Sequence, residues 1–213
     1  MKQLIIALVA AWAFSAPAAA TDFNQALLEL QHAWARVNYQ MADKGEQEKA
    51  FEALTTRAEG LRQAHPQRPE ALIWEGIILS SYAGAKGGLG ALGLVKKARD
   101  DYQAALAIDE SSLQGSAHTS LGVLYYKVPG WPLGFGSEEK AESHLKRALA
   151  INPDGIDPNY FYAEFLMEEK EDYRNARAYL EKALAAPDRP SRAVADSGRR
   201  AEIRQLLDRA EQH

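Results

Sequence analysis

Two glutamates, a lysine and two histidines are the side chains through which this chain could do chemistry. Glu75 and Glu164 each fall on a helical stretch where the surrounding pattern asks for a small or apolar residue. A buried carboxylate without a partner is strongly destabilising, so each must meet a cation, a donor or water. Lys127 can serve either. Two readings follow: a polar contact inside a cavity, or a proton or metal site; otherwise the helix turns slightly and both carboxylates reach solvent. His118 and His144 sit in one helical hairpin, yet no His-Glu-x-x-His motif or comparable cluster accompanies them. Zinc is therefore not indicated, and both read as helix-surface residues. The stretch from Tyr82 to Leu94 holds five of the 15 glycines but lacks the Gly-x-x-x-x-Gly-Lys-Ser/Thr order and a preceding strand, so it is not a phosphate loop. No Gly-x-Ser-x-Gly elbow appears, and the absence of cysteine removes thiol catalysis and disulfides. The expectation is a non-enzymatic protein without cofactor or metal.

The elements that position these residues are helices. Apolar residues recur at helical spacing from Phe23 to Met41, then at Ala50, Leu54, Ala58 and Leu61 ahead of Pro66. Leu121-Gly122 and Tyr125 fall on a first helix, and Ala141, Leu145 and Ala148 on a second that Pro153 closes. This is the pattern of a tetratricopeptide repeat (TPR), in which the glycine and alanines let paired helices approach closely. The same pattern predicts an all-α TPR-like array of about four hairpins, near 22–66, 69–110, 113–153 and 156–187, with a capping helix over 197–211. Two hairpins carry long inserted loops. One is the glycine-rich stretch, and the other is Val128-Pro-Gly-Trp-Pro-Leu-Gly-Phe-Gly136, where a polar turn would have no use for Trp131 or Phe135.

The segment Leu121–Gly136, with Ile151–Tyr162 after it, resembles a bacterial family of exported TPR proteins similar to the T-component of TRAP transporters, the tripartite ATP-independent carriers of organic acids. The resemblance covers roughly 69–207. It implies an accessory role in solute uptake, and a lipid anchor that a chain without cysteine cannot carry. Residues 1–20 read as a signal peptide, with Lys2, an apolar run from Leu4 to Phe14 and Ala18-x-Ala20 before Thr21. A periplasmic or otherwise exported protein, without a stable membrane anchor, is expected. The net charge of -4 and the lack of a basic stripe argue against nucleic acid.

By repeat register, the concave groove is lined by Ile73 and Ile77, by Thr119, Val123 and Tyr126, and by Phe161, Tyr162 and Phe165. Grooves that hold a peptide carboxylate offer Lys, Arg and Asn there instead. An apolar lining suits a small hydrophobic molecule, a protein partner, or the chain's own loops folded inward. On this reading the two inserts, with Trp131 and Phe135, roof the groove into a closed cavity, with Lys127, Glu75 and Glu164 as polar contacts. A structural adaptor for envelope assembly, with no small-molecule ligand, is the alternative, and homo-oligomerisation stays open.

Overall fold

The computed structural model describes residues 17–213, with side chains from Phe23 onward. The signal-peptide reading lies outside the described residues, apart from the backbone of its last four. Nine α-helices, no strand and one 3-10 turn make up what is described. They pair as α1 (Pro17–Gln40) with α2 (Lys44–Ala64), α3 (Pro69–Lys86) with α4 (Ala91–Ile108), α5 (Ser112–Lys127) with α6 (Glu138–Ile151), and α7 (Ile156–Glu169) with α8 (Tyr173–Leu184). After the 3-10 turn Pro190–Arg192 comes α9 (Ala193–Ala210).

Local chemistry sets the starts. Asp43, Ser137 and Asp172 accept backbone N–H bonds from Glu46, Lys140 and Asn175, satisfying donors that the first turns of α2, α6 and α8 leave free. Pro69 opens α3, where its missing N–H is no loss. At the head of α5, Leu113, Gln114 and Gly115 adopt left-handed conformations, so its regular turns begin at Ser116. Two non-glycine residues in that region are uncommon.

Packing between paired helices repeats a three-residue theme. Ala98, Tyr102 and Ala105 on α4, Ala141, Leu145 and Ala148 on α6, and Ala176, Leu180 and Ala183 on α8 are all essentially inaccessible. One large side chain between two alanines keeps the helix axes close. Gly122 completes this in the third hairpin: a Cβ there would stand 2.6 Å from Leu145 Cγ.

Alternate helices run parallel and in register. Tyr102 Oη meets Ser80 Oγ of α3 at 3.1 Å and faces Ser120 of α5. Trp34 Nε1 of α1 donates to Ser81 Oγ at 2.8 Å, and Lys127 at the end of α5 reaches Glu168 at the end of α7. The links that leave α1, α3, α5 and α7 therefore share one edge of the molecule, and both inserts are among them. The expected cap is longer and reaches further than its pattern suggests, because α9 begins at Ala193 and touches α7, α8 and α1. Its buried polar residues, Asp196 and Arg199, find their partners in Arg189 and in Asp157 of α7, while α1 adds Tyr39 against Glu202.

Candidate functional site

The concave face divides into a filled part and an open flank. Ile73 and Phe165 are fully buried, and Thr119 and Tyr162 nearly so. Tyr162 turns its ring edge against Tyr179 of α8, which places it between helices rather than on the groove floor. Ile77, Val123, Tyr126 and Phe161 are half-buried, and Lys127 is exposed beside them. Ile77, Val123, Tyr126 and Lys127 come from two successive hairpins and remain reachable along the flank, while Phe161 of the next is covered from α9.

The filled part is closed by α9. The Arg199 guanidinium lies 4.3 Å from the ring centre of Tyr160 and 4.4 Å from that of Phe161, so a residue read as groove lining is covered by the chain's own arginine. Arg199 Nε donates to Asp157 Oδ1 at 3.1 Å and Nη1 to Glu202 Oε2 at 2.7 Å. Arg189 joins Asp157 at 2.9 Å and Asp196 at 2.5 Å. From α1, Tyr39 bonds Glu202 and His32 meets the Ser191 carbonyl at 2.7 Å, while Arg192 stacks over Trp74 of α3. Gly198 makes room for this, since a Cβ there would collide with the Tyr39 ring. Burial pushes the Asp157 carboxyl up, but Arg199 and Arg189 together outweigh it and hold the group below the ordinary aspartate range. Burial likewise raises Glu202 and, most of all its causes, lifts Tyr39 to about 12.

The two out-of-place carboxylates are both enclosed rather than turned to solvent. Glu75 is completely buried and paired with Arg62 of α2 and, at 2.8 Å, with Lys97 of α4. Lys127 is not its partner. Beside it Asp101 is pushed up to about 7, by burial first and then by the Glu75 charge. Glu164 accepts from Tyr126 Oη at 2.5 Å and lies 3.4 Å from both Tyr160 Oη and Lys127 Nζ. Among the described residues no three acidic or histidine side chains converge as metal ligands.

The histidines correct the surface reading. His118 is buried, its Nδ1 is 2.9 Å from His144 Nδ1, and its Nε2 is 3.4 Å from Glu110. The His144 ring stacks on Tyr125. Facing positions on paired helices bring them together, which sequence separation concealed. Burial, and then the charges of His118 and Lys140, lower His144 to about 4.

The inserts do not fold over the groove. Trp131 is 89% exposed, Leu133 68% and Leu89 86%. Phe135 turns back, packing edge-on against Tyr125 under the Arg99 guanidinium, and Val128 at the start of its insert is buried. The expected roof is absent because most of the glycine-rich stretch is helix rather than loop: α3 runs to Lys86 and α4 starts at Ala91, leaving only residues 87–90 between them, and the second insert stays at the edge between α5 and α6. Two surface hollows lie elsewhere, one along Arg189, Arg200 and Arg204, the other between α1 and α2 over Val37 and Leu54.

Arg199, Asp157, Arg189 and Asp196 were not singled out by sequence. One signal was present: Ala195, Arg199 and Ile203 share a helical stripe, so Arg199 stands on the apolar face of α9.

A protein family described as TRAP transporter T-component matches residues 37–213. No curated protein matches the chain. Among solved structures, a thermophilic TPR protein from Thermus thermophilus is 18% identical, with a TM-score of 0.44 over 78% of this chain and 92% of that one.

Proposed function

The chain belongs to the TRAP transporter T-component family, and from that premise we propose that it is an exported, non-enzymatic scaffold accessory to TRAP-type solute uptake. Its partner is a protein, and the contact surface is the open flank of the concave face. One observation carries this reading: Ile77, Val123 and Tyr126, contributed by two successive hairpins, stay half-open while α9 covers Phe161 of the next. An accessible apolar strip with Lys127 at its rim suits a helix or extended segment laid across it. A small hydrophobic molecule would want an enclosed pocket, which the inserts do not supply.

Co-expression with the subunits of the cognate transporter tests the proposal. Wild-type protein is expected to co-purify with one of them, and Ile77→Glu combined with Val123→Glu is expected to weaken that complex about tenfold or more, because a carboxylate would be buried at the contact. Unchanged affinity, or recovery of a bound apolar molecule by native mass spectrometry, would overturn the protein-partner reading.

A further inference from the structure

The inserts offer a second surface, separate from the concave flank. Among the described residues four large apolar side chains are strongly exposed, and three of them, Leu89, Trp131 and Leu133, stand on the two inserts. The parallel register of α3 and α5, fixed by the shared Tyr102 contacts to Ser80 and Ser120, puts both inserts on one edge. Ile108, the fourth, ends α4 at the opposite edge. Scattered single hydrophobics need no explanation, but three concentrated on protruding tips of neighbouring hairpins do.

We propose that this edge rests on a lipid bilayer, with Leu89, Trp131 and Leu133 seated in the interfacial region between headgroups and acyl chains. Charge is the first argument. Residues 87–95 and 128–137 contain no ionisable side chain, so neither tip would carry a charge out of water. The segments 76–99 and 111–137 contain no aspartate or glutamate in a chain whose net charge is -4; the first acids after the second insert, Glu138 and Glu139, open α6, and Glu138 is paired with Lys170. Lys86 and Lys127 stand at the roots of the two inserts, paired on the protein side with Glu48 and with Glu164 and Glu168, and exposed cationic side chains of this length can exchange such partners for lipid phosphates. Shape is the second argument. The apolar groups sit on two separate projections rather than in a groove or on a flat patch, and a fluid interface accepts unconnected points that a rigid protein surface would have to match one by one. Tryptophan beside leucine is also the pairing that favours the headgroup level, since the indole keeps its N–H near water. No helix among the described residues is long and apolar enough to cross a membrane, so the contact is peripheral.

The chain has no cysteine, which makes a positional test direct. Full-length Leu89→Cys, Leu133→Cys and Ile108→Cys each carry one environment-sensitive fluorophore. On vesicles of equimolar phosphatidylcholine and phosphatidylglycerol, the labels at 89 and 133 are expected to shift to shorter wavelength while the label at 108 does not. Trp131→Ser should lower vesicle affinity about tenfold without changing the melting temperature, because the side chain touches little in the fold. Labels at 89 and 133 that stay water-like on sedimented vesicles would overturn the proposal, since adhesion would then run through the apolar residues 4–14 or another surface. A blue shift that grows with protein concentration in the absence of lipid would overturn it too, showing that the edge pairs with protein.

Discussion

The seams inside the hairpins and the clasp that α9 makes with α1 and α7 join helices by opposite means. Each seam is alanine, one large residue, alanine, repeated on α4, α6 and α8, and it excludes water by close approach. The clasp encloses Arg199, Asp157, Arg189, Asp196 and Glu202 in a chain of paired charges. A seam tolerates change in any one contact as long as volume is kept. A buried charge network depends on every member, because removing one strands its partner. The repeat can therefore be extended by copying seams, whereas closure of the array onto its first hairpin rests on a few specific residues.

The strongest way to break this comparison is at Asp157, which holds Arg199 and Arg189 together. Asp157→Asn should destabilise the protein by about 3 kcal/mol, the lower end of what losing one partner of a buried pair costs, because part of its carboxylate still reaches solvent. Denaturant unfolding measures this. The same change should speed hydrogen exchange in α9 and the 3-10 turn more than in α6. A uniform effect across the chain would mean that the clasp is not a separate joint.

A milder break lies in a seam. Gly122→Val places carbon within contact distance of Leu145, which is fully buried, and of the Ala141 carbonyl. Overpacking of this kind costs about 1–3 kcal/mol. The loss should fall on α5 and α6 and leave α9 protected. Equal melting of mutant and parent would contradict the close approach.

The asymmetry between the two joints also explains what could be read from sequence. Seams recur with a period, so Leu121, Gly122, Ala141, Leu145 and Ala148 announced the all-α array. The clasp occurs once. Nothing in the spacing of Asp157, Arg189 and Arg199 says that residues 32 and 42 positions apart will meet. A helix as charged as α9 reads as a solvated cap. Groove positions were assigned by register, but register cannot tell that Arg199 will cover Phe161, or that Thr119 and Tyr162 will end up inside. The inserts were legible as unusual, while their direction was not. An exposed Trp131 and a roofing Trp131 have the same sequence.

Acid separates the two joints with the smallest change. In the unfolded chain His144 takes up a proton as pH falls through about 6.5. Folded, it stays neutral until about 4, held there by burial and then by the charges of His118 and Lys140. The unfolded state alone binds that proton in between, so stability should decline as pH drops from about 6.5 to about 4 and then cease to depend on this group. His118, lowered chiefly by burial, acts in the same direction. Asp157 behaves differently: its folded value is depressed, so its contribution is complete above the ordinary aspartate range and is lost only below it. Asp101, pushed up to about 7, takes its proton in the folded state over the same range and works in the opposite sense. The histidine effect is therefore read as a difference: between about pH 6.5 and 4 the parent should lose a few degrees of melting temperature relative to His144→Gln, because glutamine keeps the site polar without titrating, and below that range both should show the same loss from the clasp. If the two melting curves against pH run parallel throughout, the histidine pair does not report on the seam of α5 and α6.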